Sequence, residues 1–126
     1  MARKQFSFEK LEVWQDARKL AAAVYERTRA FPKTELYGLT SQLNRAALSI
    51  ANNLAEGSSR ASLKDQAHFS NQAYSSLMET ASDLIIAADL KFIASEQADT
   101  LLNQVHDLAV RIHNLRESQL RRVKTA

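Results

Sequence analysis

The chain has 126 residues, 45% of them apolar and 25% charged, with a formal net charge of +3, the balance of a single soluble globular domain. It has no cysteine, which excludes disulfides, thiolate nucleophiles and cysteine-based zinc sites; its two glycines and one proline are too few for the turns of an all-β fold. Residues 1–64 hold eleven basic side chains against six acidic, residues 65–107 one against seven, and residues 108–126 five against one, so an acidic middle separates two basic ends.

The opening stretch, MARKQFSFEKLEVW, is basic and lacks the apolar core of a signal peptide. A cytoplasmic location is expected. A first helix over about 8–30 follows from Leu11, Trp14, Ala17, Ala21, Val24, Thr28 and Phe31, which step by three and four. Pro32 ends it, and Thr34 is a candidate cap for the next. The second helix, about 35–56, carries Leu39, Leu43, Ala46, Ala47, Ile50 and Leu54 on one face and stops at Gly57. A glycine there suits the left-handed position that ends many helices.

Ser62 followed by Asp65 reads as the capped start of a third helix, about 62–92, whose stripe runs from Leu63 through Ala67, Ser70, Tyr74 and Leu77 to Phe92. Its apolar run LIIAA at 84–88 is far too short to span a bilayer, and no membrane association is expected. Ser95 reads as the cap of a fourth helix, about 96–121. Leu101, Val105, Leu108, Ile112 and Leu115 form its seam, in steps of four and three. Short connections make successive helices antiparallel neighbours, so the expected fold is all-α, an antiparallel up-down-up-down four-helix bundle in one domain spanning 1–126.

That topology brings the chain start, the connection between the second and third helices and the chain end to one end of the bundle. Arg3, Lys4, Arg60, Lys64, Arg121, Arg122 and Lys124 are thereby gathered as candidate nucleic-acid-binding residues. Basic chain ends are often only solvated; it is their meeting with the loop that favours an anion site.

The second helix has more apolar surface than one packing face needs, since Leu48, Ala51 and Ala55 flank the main stripe. Val13, Leu20 and Tyr25 add a similar excess to the first helix. Tight packing within one bundle is the plainer explanation, and burial against a second copy of the chain the sharper one. Opposite the stripe runs a narrow polar arc. Gln42, Arg45, Ser49, Asn53 and Glu56 are its candidates for a hydrogen-bonded structural or interface seam, against the plainer reading of a solvated face.

No enzyme signature is complete. A di-metal bundle site needs a repeated Glu-x-x-His motif with further inward carboxylates, and Asp65-x-x-His68 stands alone. His106 and His113 are seven apart but have no acidic partner at metal-ligand spacing. Arg60 and His68 are separated by seven residues, too far for the arginine–histidine motif of some helical ribonucleases. There is no phosphate-cradling glycine loop and no G-x-S-x-G elbow. No catalytic residue, metal or cofactor is expected.

Three motifs carry a resemblance to a known family. Phe8, Leu11, Val13 and Trp14 fit F-x-x-L-x-V-W; Phe31, Pro32, Glu35, Tyr37, Gly38, Leu39 and Gln42 fit F-P-x-x-E-x-Y-G-L-x-x-Q. Arg45, Ala46, Ser49, Ile50, Asn53, Leu54, Ala55, Glu56 and Gly57 fit R-A-x-x-S-I-x-x-N-[IL]-A-E-G. Together they resemble the 23S rRNA intervening sequence proteins, four-helix bundles whose name describes a gene location and not an activity. Asn44 departs from the pattern where members often carry a second basic residue, and Asn52 where the position is often small or apolar. The family is similar to the accessory variability determinant of diversity-generating retroelements, a basic pentameric barrel that binds nucleic acid and a reverse transcriptase. The resemblance implies a homopentamer. The resulting expectation is a non-enzymatic homo-oligomer that binds RNA or DNA through its basic end; the alternative is an interaction scaffold whose oligomer surface docks a partner protein.

Overall fold

The computed structural model describes residues 2–125. A 3₁₀ turn at Ser7–Lys10 leads into α1 (Glu12–Thr28), and a second at Lys33–Glu35 into α2 (Leu39–Ser58); α3 (Leu63–Asp89) and α4 (Ser95–Thr125) follow. The described residues contain no strand. Each helix packs on the next and α4 closes onto α1, with no close backbone approach between the diagonal pairs among the described residues. The fold is the expected up-down-up-down bundle.

The apolar stripes meet along its axis, where Leu20, Val24, Leu43, Ile50, Leu77, Leu84 and Ile112 are essentially inaccessible to solvent. Each such side chain contributes roughly 1.5–3 kcal/mol relative to exposure. Leu20 and Ala51, which look like surplus surface in the sequence, are buried in this core, so part of the apolar excess is used within one chain. Leu48 remains 42% exposed.

The helix boundaries differ from the sequence pattern at several places: α4 runs on to Thr125, four residues past its expected end, and others shift for local reasons. The first helix does not begin at 8, because Leu11 is extended (φ −75°, ψ 123°). Glu9 holds the preceding turn instead: its carboxylate accepts from the Phe6 amide at 2.6 Å, and its carbonyl accepts from Gln15 Nε2 at 2.8 Å. At α2, Glu35 and not Thr34 supplies the cap, its Oε1 accepting from the Leu39 amide at 3.2 Å.

Gly57 is not a left-handed cap. It lies inside the last turn of α2 and is buried, where an added Cβ would come 2.9 Å from the Phe69 Cβ of α3. Glycine there lets two helices approach. The final carbonyls of α2 are satisfied by serines instead, Ser58 Oγ donating to Ala55 at 2.8 Å and Ser59 Oγ to Glu56 at 2.7 Å.

Ser62 caps α3 as its sequence suggests, accepting from the Asp65 amide at 3.1 Å. At the other end Lys91 adopts φ 63°. Its amide donates to Ala88 at 3.0 Å and that of Phe92 to Ala87 at 2.9 Å, the paired bonds of a Schellman ending with lysine in the position glycine prefers. Phe92 then packs on Phe31, ring centres 5.8 Å apart. Ser95 is the first residue within α4 rather than its cap, since the Ala98 amide donates to the Ala94 carbonyl at 3.0 Å.

One consequence of these lengths shapes the site. At 1.5 Å per residue, α1 is roughly 26 Å long and α4 roughly 46 Å. The ion pair between Asp16 and Arg111 fixes their level, so the start of α1 lies about opposite Leu115. Residues 116–125 of α4 therefore have no α1 beside them. The opening 3₁₀ turn does not replace it, because it packs on α1 and α2.

Candidate functional site

The chain start, the α2–α3 connection and the end of α4 meet at one end of the bundle. Lys4, Arg60, Lys64, Arg121, Arg122 and Lys124 are all exposed there. Arg60 is held in place: its guanidinium lies 4.7 Å from the centre of the Phe69 ring, and its carbonyl accepts from Gln66 Nε2 at 2.8 Å. Glu56, Asp65 and Glu117 at this end offset only part of the charge. Arg121, Arg122 and Lys124 also oppose the negative end of the α4 dipole.

Arg3 does not stand free with the others. Its guanidinium forms a two-pronged pair with Glu9, one bond at 2.9 Å and the other shorter. The Arg3 hydrogen bonds, followed by that of the Phe6 amide, hold the Glu9 carboxyl down at about 2, against the cost of its desolvation. The same pairing raises the Arg3 pKa. Arg3 straps the N-terminal segment down and is removed from the set of available cations.

Beneath the basic rim, where α1 falls short, lies a cavity of about 240 Å³. Leu11, Leu54 and Leu115 form its apolar walls, Gly57 and Ser58 one edge, and Arg122 stands at its rim. Asn53, Gln66 and Gln119 bring three carboxamides to it. Ser70 Oγ donates to Gln119 Oε1 at 2.7 Å, with both residues buried. The sequence carries a signal for this pair that charge and motif searches pass over. Gln119 continues the α4 seam four residues beyond Leu115, and Ser70 sits in the α3 stripe.

The polar arc of α2 faces the outer groove between α2 and α3. Gln42, Arg45 and Ser49 line it with Ser76 and Glu79 of α3. Ser49 and Ser76 share a hydrogen bond at 2.9 Å, and Asn53 Nδ2 donates to the Ser49 carbonyl at 2.8 Å. Of these residues Ser49 bonds across to α3 and Asn53 back within α2, whereas Gln42, Arg45 and Glu56 are exposed. Higher on the same flank of α3, Asp83 is buried with Oδ2 lacking any hydrogen-bond partner among the described residues. Burial, and secondarily the charge of Glu79, pushes its carboxyl up. Asn44, one of the departures from the family pattern, accepts from Thr28 Oγ1 at 2.9 Å and ties α2 to α1.

The histidines do not converge. His68 meets the edge of Phe69, His113 Nδ1 lies 3.1 Å from Arg116, and His106 is exposed. Among the described residues no three histidine, aspartate or glutamate side chains could hold a metal ion together, and no helix is long and apolar enough to cross a membrane.

Comparison with known proteins adds the lineage. A solved structure from Bacteroides thetaiotaomicron, described as a protein of unknown function from the S23 ribosomal protein family, superposes with a TM-score of 0.74. It is 19% identical, and the match covers 82% of this chain and 96% of that one, a likeness of fold. No functionally curated protein matches. The sequence profile of the 23S rRNA-intervening sequence proteins matches residues 9–114; the chain belongs to that family.

Proposed function

We propose that the protein is a non-enzymatic, homo-oligomeric bundle that binds RNA or DNA through its basic end. The observation that carries this reading is the exposure of Lys4, Arg60, Lys64, Arg121, Arg122 and Lys124, drawn from three separate parts of the chain, around one end. Arginine and lysine contacts to phosphate give salt-sensitive binding with little sequence preference. A structured RNA such as a 23S rRNA fragment is the first ligand to test. Titration of such an RNA and of duplex DNA at low and high salt is the experiment, and absence of binding at low salt removes the reading.

Self-association is supported by apolar side chains left outside the core. Leu48 on α2, Met78 and Ile85 on α3, and Val110 on α4 are all at least 40% exposed, apolar surface that association would cover. A pentamer is the assembly that the family resemblance implies. Solution mass measurement tests it, a monomer at micromolar concentration being the contrary result. The same apolar faces favour a second reading, a scaffold for a partner protein. Charge reversal at Arg121, Arg122 and Lys124 separates the two, because it weakens nucleic-acid binding strongly and leaves protein docking intact.

A further inference from the structure

The basic rim explains attraction to phosphate but gives no reason for the cavity beneath it. Position 119 continues the row of Leu108, Ile112 and Leu115, where a leucine would extend the apolar seam. The chain instead places a buried glutamine there, bonded to a buried serine. Each cavity carboxamide has one end tied and one to spare. Gln119 uses Oε1 on Ser70, Asn53 uses Nδ2 on Ser49, and Gln66 uses Nε2 on the Arg60 carbonyl. That leaves an amide donor on Gln119 and carbonyl acceptors on Asn53 and Gln66 at a pocket with leucine walls.

This combination suits a neutral, flat ligand with donors and acceptors on its edge and apolar faces. It does not suit an anion, because Arg122 is the single cation at the cavity and stands at its rim. At about 240 Å³ the space is below the roughly 300 Å³ and upward of drug-sized ligands, fitting one heterocyclic ring system. A nucleic acid whose phosphates rest on the rim presents such rings within reach.

We propose that the cavity receives one unpaired base of a bound single strand, with its faces between Leu54 and Leu115 and its edge read by Gln119, Asn53 and Gln66. The rim cations hold the flanking phosphates. This extends the nucleic-acid reading above and rests on it. A base engaged in pairing must be unpaired and unstacked before it can enter, so single strands are favoured over duplexes.

The test uses the full chain and a short single-stranded oligoadenylate RNA carrying 2-aminopurine. It is compared with an abasic strand of the same length and with the same RNA locked in a duplex. The base-bearing strand should bind about tenfold more tightly than the other two, the scale of one base–side-chain contact, and 2-aminopurine emission should rise as the base leaves its stack. Two variants alter the cavity without touching the rim: S58F fills its edge, and the S70A/Q119L double removes both partners of the buried bond, so that neither is orphaned. Both should bind the three probes alike with the wild-type salt dependence. Equal wild-type affinity for all three probes overturns the base pocket while leaving phosphate binding standing. Retained preference in both variants, each shown to be folded by circular dichroism, also overturns it. Failure to bind any probe at low salt overturns the nucleic-acid reading itself.

Discussion

The Arg60 guanidinium rests 4.7 Å from the centre of the Phe69 ring, and Phe69 is also where Gly57 lets α2 close on α3. The glycine that ends the family motif thus positions a cation of the basic rim. Gly57→Ala sets two effects against each other. Alanine is favoured over glycine in a helix by up to about 1 kcal/mol, but overpacking a tight contact costs about 1–3 kcal/mol. The clash is with a Cβ fixed to its backbone, so destabilisation should win, by about 1 kcal/mol. A lowered urea midpoint checks it.

Lys91 is the opposite case. Its left-handed backbone serves a turn that glycine makes without steric cost, and its side chain is exposed. Lys91→Gly should raise stability by about 1 kcal/mol, seen as a melting temperature a few degrees higher.

Glu9 makes a pH prediction. Its folded-state pKa, about 2, is depressed below the ordinary carboxylate value, so its contribution is fully present above the unfolded pKa of about 4.3. It is lost as pH falls through that window to about 2. Trp14, whose ring lies 5.0 Å from Phe8 beside the strapped segment, is the chain's single tryptophan and reports the release. Glu9→Gln should remove this acid transition from the Trp14 emission and free Arg3 at neutral pH.

Asp83 has the reverse sign. Its pKa is raised, chiefly by burial, so stability is highest below the ordinary aspartate pKa and declines as pH rises through the folded value. Asp83→Asn removes the buried charge and should stabilise the neutral-pH protein by about 1 kcal/mol, given its partnerless oxygen. Stability compared at pH 7 and pH 4 checks it: the gain should shrink at the lower pH.

Helix number, order and core faces were legible in the sequence because repeated steps of three and four integrate over many residues. The Ser62 cap was legible as a local motif. What failed were single residues whose role lies across the bundle. Gly57 looks like a helix stop along the chain, yet its role is set by Phe69 on the next helix. Arg3 looks like a free cation until Glu9, six residues on, folds back to it. The cavity was hidden because it follows from a difference in helix length, and its polar marker, Gln119, occupies a position that periodicity alone assigns to a leucine.

On the proposed reading, the basic end is a phosphate-binding surface. The most direct measurement is the salt dependence of single-stranded RNA binding by the wild type and by the R121E/R122E/K124E triple variant, with folding verified by circular dichroism. Each phosphate contact contributes roughly 0.7 to the slope of log affinity against log salt for a single strand, so loss of three should lower the slope by about 2 and weaken binding strongly at low salt. Unchanged affinity and slope in the variant, or no binding by the wild type at low salt, would contradict the account.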